Sequence, residues 1–354
     1  MLVAAAARLV GTWLQLGLET AVALALGLAV GSAAPVRAVL LAGAAPAARY
    51  ALRVGITLLG ARLTLGQLIG TGAASVVAIV VVVGVGLLLG TMLARRFGVR
   101  PPLSALITVG MAICGNSAIL ALAPIVRAPH RETAYAVSTI TIFGLVGVML
   151  LPVLGATLGL SDAVFGTWAG LAVNDTAQVV ATGYAYSPAA GDVATVVKLT
   201  RNLAILPVLL GATWLTVRAA RDAGASAESV TAGSSIGLVA RAVPWFVIGF
   251  VVFAGLRTAG LLDGALPSGG TVADLCSVAA AVLILVALAG VGISTDVRAM
   301  IGVGAGPFLL GAAMWIVMGL LALALSAVVA GSAGVSAGGM GGAGPILAAD
   351  YHGG

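Results

Sequence analysis

Long apolar stretches, separated by short polar or charged segments, run along most of the chain. The segment from Thr71 to Ala94 contains no charged residue, and a helix needs about 20 apolar residues to cross the hydrocarbon core of a bilayer. The apolar positions do not alternate with polar ones as they do in barrel strands, and a helix satisfies its own backbone groups in lipid. The pattern therefore predicts an all-α membrane protein of about ten transmembrane helices. The predicted spans cover roughly residues 17–34, 48–69, 74–94, 102–126, 133–158, 163–184, 188–218, 240–257, 274–297 and 304–330.

Ten spans suggest two inverted five-helix repeats, over residues 1–160 and 161–330, followed by a flexible glycine-rich tail over 331–354. In such folds, corresponding helices of the two repeats are interrupted near the midplane of the membrane. Span four is interrupted at Gly115-Asn116-Ser117, and span nine at Gly290, Gly292, Ser294 and Thr295. We therefore expect spans four and nine to cross as discontinuous helices. A sparse match between residues 59–76 and 291–308 would instead pair spans two and nine.

Composition strengthens the membrane assignment, because 61% of the residues are hydrophobic and only 8% are charged, against about 25% charged in soluble domains. The net charge of +6 comes from arginines scattered between apolar stretches. Such scattering argues against nucleic acid as a partner, and it fits the excess of positive charge that cytoplasmic loops carry. Cys114 and Cys276 both lie in apolar runs and predict no disulfide framework.

The segment Cys114-Gly115-Asn116-Ser117 predicts an unwound point within span four. Glycine costs a helix about 1 kcal/mol relative to alanine and adopts backbone conformations that other residues avoid. Unwinding frees backbone N–H groups which, together with the helix dipole, form an anion site. Asn116 and Ser117 would cap the second half-helix or contact the ligand. A close contact between helices is the alternative, because small residues and a buried amide serve that purpose equally well.

Asp175 lies inside predicted span six without a flanking charge, and such a carboxylate is costly in a membrane unless it is paired or faces water. Asn174 and Gln178 are four residues apart and Asp175 and Gln178 three apart, so a helix would place them on one face. Asp175 is a candidate site for proton or cation coupling, or the countercharge of a buried base. A structural ion pair or a helix end is the alternative.

Ser187 followed by Pro188 predicts a helix start. Lys198, the only lysine, and Arg201 then lie roughly three turns deep on one helical face. Near a helix end such side chains would extend to the interface. At this depth we expect them to pair with Asp175 or to face an anionic substrate.

Four segments occur in the order ALRVGITLLGARLTLGQL, ICGNSAILALAPIV, NDTAQVVATG followed by SPAAGDVATVVKLTRN, and GISTDV. In these motifs the chain resembles the YeiH-type sulfate exporter family of bacterial inner-membrane proteins, over roughly residues 20–330. The resemblance implies membership of the superfamily that includes bile-acid/sodium symporters and cation/proton antiporters. It also implies two inverted five-helix repeats with crossing broken helices.

The resemblance carries three family motifs onto this chain. The Cys-Gly-x-Ser-Ala break falls on Cys114, Gly115, Ser117 and Ala118. The acidic motif, commonly His-Glu-x-x-Gln-Val, falls on Asn174, Asp175, Gln178 and Val179. The Lys-x-x-Arg pair falls on Lys198 and Arg201. Asn174 stands where many relatives have His, and Asp175 stands where they have Glu. A proton relay through that His therefore cannot apply here.

These observations together predict a secondary active transporter, an exporter, of a small inorganic or organic anion such as sulfate or a sulfonate. The substrate would lie where spans four and nine cross, and Asp175 with Asn174 would couple transport to H⁺ or Na⁺. We expect no other cofactor, no metal and no enzymatic activity, and a homodimer is compatible with the sequence. The expected substrate-binding residues are Gly115, Asn116, Ser117, Gln178, Lys198, Arg201, Ser294 and Thr295.

Three other functions compete with this expectation. A cation/proton antiporter would use Asp175 to carry the ion and Lys198 only structurally. An intramembrane hydrolase is disfavoured, because His130 and His352 fall in a loop and in the tail and no second intramembrane acid partners Asp175. A purely structural membrane protein would not need three polar groups at membrane depth. The chain lacks a phosphate-binding loop of the G-x-x-x-x-G-K type, so energy would come from a gradient or a partner.

Overall fold

The computed structural model describes residues 34–222, 245–266, 270–294 and 305–332, together with isolated positions between 23 and 30. These residues form twelve α-helices, a 3-10 helix at Gly60–Arg62 and one isolated β-bridge between Ala265 and Thr271. The helices are α1 Ala34–Leu59, α2 Leu65–Arg96, α3 Leu103–Ala112, α4 Asn116–Leu122, α5 His130–Thr157, α6 Asp162–Ala172, α7 Thr176–Tyr186, α8 Pro188–Asn202, α9 Ile205–Asp222, α10 Trp245–Thr258, α11 Val272–Ser294 and α12 Ala305–Ser332.

Among the described residues, five helical segments are long and apolar enough to cross a membrane: Leu65–Arg96, His130–Thr157, Pro188–Thr216, Val272–Gly290 and Ala305–Ala330. Large apolar side chains on α2, including Val77, Val80, Leu88 and Met92, are exposed, as expected of a surface that faces lipid. The structure thus shows an all-α membrane protein. The ten-helix inverted repeat is not confirmed, and the division at residue 160 stays a prediction. Two of the predicted spans, 102–126 and 163–184, are each divided into two shorter helices.

Local sequence signals explain where several helices begin. Thr64 and Gln67 form a capping box at the start of α2, which satisfies backbone N–H groups that the helix leaves free. The side chain of Ser187 accepts a hydrogen bond from the backbone N–H of Ala190 at 3.0 Å, and Pro188 is the first residue of α8. The helix start predicted at Ser187-Pro188 is therefore confirmed.

The helices pack into two bundles. The outer bundle consists of α1, the 3-10 helix, α10 and α11, which contact one another closely. The core bundle consists of α2 to α9 and α12, and its centre is an apolar cluster that includes Leu106, Ile119, Val197 and Leu310. A second cluster joins the bundles through residues of α1, α10 and α11 and residues of α5, α7 and α8.

The glycines of predicted span nine do not interrupt the helix. α11 is helical through Gly290 and Gly292 as far as Ser294, so the break expected at these two glycines is wrong. The packing of α11 along α1 gives a physical reason, since tertiary contacts outweigh a propensity cost of about 1 kcal/mol per glycine. Thr295 and the part of the predicted tail over 333–354 lie outside the described residues.

Candidate functional site

The first interruption separates α3 from α4 and confirms the break predicted in span four. α3 ends at Ala112, and α4 begins at Asn116. Ile113 has φ −123° and ψ −93°, and Gly115 has φ +63° and ψ −123°. Only glycine adopts the latter conformation readily, so Gly115 is the residue that allows the chain to change direction.

The second interruption separates α6 from α7 and was not predicted. α6 ends at Ala172, and α7 begins at Thr176, with Val173 and Asp175 both extended at φ −84° and ψ 136°. The expectation that Asn174, Asp175 and Gln178 share one helical face is therefore wrong for the first two, which precede the helix. Asp175 instead lies at the start of α7, inside the predicted span. The signal was present in Asn174-Asp175-Thr176, because these residue types favour the position before a helix.

The two interruptions meet at Gly115 and Asn174. A methyl group at Gly115 would lie 3.4 Å from both the carbonyl carbon and the carbonyl oxygen of Asn174, so the two backbones approach closely. The break in span four therefore meets a break in span six. The expected crossing of spans four and nine is not seen among the described residues, where α11 packs on α1 in the outer bundle, and Thr295 lies outside them. We call the meeting of residues 113–115 with residues 173–175 the crossing.

Arg201 of α8 joins the two broken helices from one side. Its Nη1 donates to the carbonyl oxygens of Leu171 at 2.6 Å and Val173 at 3.4 Å. Its Nη2 donates to the carbonyl oxygens of Met111 at 3.1 Å and Ala112 at 3.0 Å. The side chain is 0% exposed. One guanidinium thus satisfies backbone acceptors at the ends of both α3 and α6, where the helix dipole favours a positive charge.

Lys198 lies one helical turn before Arg201 and acts on the same two chain segments. Its Nζ donates to the carbonyl oxygens of Ile113 and Val173, both at 3.1 Å, and the side chain is 0% exposed. Within the described residues, neither Lys198 nor Arg201 forms an ion pair with Asp175. The expected pairing with Asp175 is therefore corrected, because the carbonyl groups freed by the two interruptions supply the acceptors instead.

Asn174 and Gln178 are buried and bind within the core bundle. Asn174 accepts from Nη2 of Arg201 at 3.3 Å through its Oδ1, and its Nδ2 donates to Sδ of Met111 at 3.0 Å. Nε2 of Gln178 donates to the carbonyl oxygen of Thr141 on α5 at 3.2 Å, whereas its Oε1 has no hydrogen-bond partner. Gln178 fits only because Gly144 has no side chain: a methyl group there would lie 1.8 Å from Oε1.

Three other predicted site residues lie at the starts of the second half-helices. Asp175 is partly exposed, and its Oδ1 accepts from the backbone N–H of Ala177 at 2.9 Å. Oδ1 of Asn116 is buried without a hydrogen-bond partner, and Ser117 is exposed. Neither Asn116 nor Ser117 caps α4, because the capping position is Gly115 and carries no side chain.

Within the described part of the chain, the predicted site residues of span nine do not lie at the crossing. Ser294 is the last residue of α11, and Thr295 lies outside the described residues. Met111, Gly144 and the backbone carbonyl group of Thr141 take part in the site without having been predicted. Nothing in the sequence distinguished Met111 or Gly144, since the chain contains 50 glycines and many apolar helical residues.

The crossing holds two buried basic side chains and one carboxylate. Lys198 uses two of its three donors on carbonyl groups, and Nε of Arg201 has no partner. Across the described part of the chain, no group of three or more His, Cys, Asp or Glu side chains is arranged to hold a metal ion. The arrangement therefore provides positive charge and neutral polar groups at a point where two helices are unwound.

Fold and site together define a multi-pass helical membrane protein with two interrupted helices that meet at buried basic side chains. The chain belongs to the UPF0324 family of membrane proteins, the YeiH-type family that its motifs indicated: the family model described as Conserved hypothetical protein 698 matches residues 1–311. No solved structure matches the chain.

Curated relatives match most of the chain. The chain is 32% identical over 259 residues to a UPF0324 membrane protein of Clostridium tetani, and the aligned region covers 72% of this chain and 73% of that protein. It is also 32% identical over 325 residues to UPF0324 membrane protein SAG1125 of Streptococcus agalactiae serotype V, covering 90% of this chain and 92% of that protein. A Streptococcus pyogenes serotype M6 relative, UPF0324 membrane protein M6_Spy0799, is 34% identical over 284 residues, with 78% and 80% covered.

Proposed function

We propose that this protein is a secondary active transporter, working as an exporter, that moves a small anion such as sulfate or a sulfonate across the bacterial inner membrane. One observation carries the proposal: Lys198 and Arg201 are completely buried at the crossing, and no carboxylate is ion-paired with either of them in the described residues. Buried charge is costly unless it is compensated. An anion that enters the crossing would supply the compensation that the protein leaves incomplete.

The contacts suggest different roles for the basic side chains and for the neutral polar groups. The donors of Lys198 and Arg201 are directed mainly at backbone carbonyl groups, so these cations act on the anion through their electric field. Direct hydrogen bonds to the anion would come from neutral donors at the start of α4, the exposed hydroxyl of Ser117 and the side-chain N–H groups of Asn116. Neutral donors close to a fixed positive field bind an anion without holding it too tightly to be released.

Asp175 is the group that we propose for ion coupling. It is the carboxylate at the crossing, it is partly exposed, and it lies two residues after Val173, whose carbonyl oxygen accepts from Nζ of Lys198. Protonation of Asp175, or Na⁺ binding to it, would change the net charge of the crossing by one unit. The affinity for an anion would change with it, and this dependence is the requirement for coupled transport.

A cation/proton antiporter is the second candidate, and the partly exposed carboxylate of Asp175 favours it. In that case Asp175 would carry the ion, and the two cations would only hold the broken helices together. In both cases the protein performs no covalent chemistry and needs no cofactor beyond H⁺ or Na⁺. A homodimer is compatible with both.

Purified protein in proteoliposomes tests the proposal. Uptake of sulfate, sulfite, sulfonates, bicarbonate and carboxylates would be measured with imposed pH or Na⁺ gradients, against protein-free liposomes. We expect gradient-dependent uptake of at least one anion. A parallel thermal-unfolding measurement separates the two candidates, because a ligand that binds the native state stabilises it. Stabilisation by Na⁺ alone, with no anion uptake, would establish the antiporter instead.

A further inference from the structure

The interface between the outer and core bundles is largely apolar. Ile56, Phe250 and Leu288 of the outer bundle belong to one buried cluster with small apolar residues of α7 and α8, such as Val180 and Val196. Apolar contact is not directional, so a surface of this kind does not by itself fix one relative position of two packed bundles. A directional contact is needed to do so.

Arg62, Asp192 and Tyr184 form such a contact across this interface. Nε of Arg62, in the 3-10 helix of the outer bundle, donates to Oδ2 of Asp192 on α8 at 3.1 Å. The hydroxyl of Tyr184 on α7 donates to the other oxygen, Oδ1, of the same carboxylate. The side chains of Arg62 and Asp192 are 11% and 12% exposed. Both oxygens of a largely buried carboxylate are thus engaged, one by each bundle.

Close packing on α8 positions Tyr184 beside Asp192 in the core bundle. A methyl group at Gly191 would lie 2.5 Å from Cγ of Tyr184, so the Tyr184 ring lies directly on the backbone of α8. The guanidinium of Arg62 also lies 6.0 Å from the centre of the Tyr184 ring, a favourable distance for a cation over an aromatic face. Tyr184 and Asp192 therefore present Arg62 with a preformed acceptor.

We propose that Arg62, Tyr184 and Asp192 are a latch that holds the outer and core bundles in one relative position, and that its opening allows the bundles to move against each other. A charge-assisted hydrogen bond is strong and specifies geometry, and removing one partner leaves a buried charge uncompensated. The latch thus discriminates between an engaged and a released arrangement. That the motion serves transport rests on the function proposed above, whereas the latch itself does not.

Distance measurements between nitroxide labels on the two bundles test the latch without any substrate. Labels would be placed at Leu158→Cys and Leu261→Cys, which are exposed positions beyond α5 of the core bundle and α10 of the outer bundle. Cys276→Ser removes the more accessible native thiol, and Cys114 is buried. A sample without added cysteines measures background labelling. We expect one narrow distance distribution with the latch intact, and a shifted or broadened one in Asp192→Asn and in Arg62→Gln.

Asp263→Asn is the matched control, because Arg257 and Asp263 form an ion pair that is exposed and lies within the outer bundle. It should leave the distribution unchanged. If Asp192→Asn fails to fold, Tyr184→Phe keeps the ring, removes one hydrogen bond and should still broaden the distribution. Folded latch variants whose distributions match those of the control would overturn the latch. A latch-dependent distribution in a protein without gradient-driven uptake would overturn the proposed function and leave the latch standing.

Discussion

Gly115 packs against the backbone carbonyl group of Asn174, and this contact joins the two interrupted helices. A methyl group at Gly115 would lie 3.4 Å from the Asn174 carbonyl oxygen and 3.2 Å from Cγ2 of Ile140. The carbonyl groups on either side of this contact are the ones that Lys198 and Arg201 bind. The positions of the carbonyl groups that accept from Lys198 and Arg201 therefore depend on how closely these two backbones approach.

Gly115→Ala should destabilise the protein and reduce transport. The backbone of Gly115 lies at φ +63°, where a side chain strains the chain by about 1–3 kcal/mol, and the added methyl group presses on Ile140 and Asn174. Gly70→Ala is the matched control, because nothing lies within 4 Å of its methyl position. Thermal unfolding in detergent should show a lower midpoint for Gly115→Ala only. Equal midpoints for the two variants would contradict the close approach.

Arg201→Gln should be the most destabilising single substitution at the crossing. It leaves the carbonyl groups of Leu171, Met111 and Ala112 without their donor, and each unsatisfied buried group costs about 1–3 kcal/mol. Arg201→Lys should be intermediate, because an ammonium cannot bridge both helix ends as a planar guanidinium does. The yield of folded protein and the unfolding midpoint measure the effect.

Arg218→Gln provides the control for this series. Arg218 is exposed and lies 5.3 Å from the Trp214 ring centre, a contact worth about 0.5–1 kcal/mol at an exposed site. The unfolding midpoint of Arg218→Gln should therefore stay close to that of the unaltered protein. A similar loss in Arg201→Gln and Arg218→Gln would show that Arg201 does not hold the crossing together.

Asp175→Asn should abolish the dependence of transport on the H⁺ or Na⁺ gradient while the protein stays folded. Asn caps helices about as well as Asp, so the hydrogen bond to the N–H of Ala177 can be kept while the charge is removed. Proteoliposome flux with and without a gradient measures the effect, with Asp263→Asn as a control carboxylate in the exposed ion pair. Flux that remains gradient-dependent would rule out coupling through Asp175.

Gly144→Ala should displace Gln178 and destabilise the core bundle by about 1–3 kcal/mol, a typical cost of overpacking. The added methyl group would lie 1.8 Å from Oε1 and 2.5 Å from Cδ of Gln178. In the double variant with Gln178→Ala the clash is gone, so the two effects should not add. A double-mutant cycle of unfolding free energies measures the coupling, and simple additivity would contradict the contact.

Local features of the site were predictable because short windows of sequence encode them. The unwound point at Gly115 follows from a glycine among polar residues in an apolar span, and the start of α8 follows from Ser187 and Pro188. The depth of Lys198 and Arg201 in that helix follows from counting turns. Each of these conclusions depends on residues within a few positions of one another, where helix propensity and capping decide the backbone.

The sequence by itself determined that this is a membrane protein of apolar helices, one of them broken at Gly115, with two basic side chains on one face of a later helix. Only the tertiary structure decided that the break meets residues 173–175, and that Lys198 and Arg201 bind carbonyl groups and not Asp175. The physical reason is that an interrupted helix leaves carbonyl groups without their helical partners, and only the tertiary packing decides which donors reach them. Buried donors bind whichever acceptors packing brings within reach.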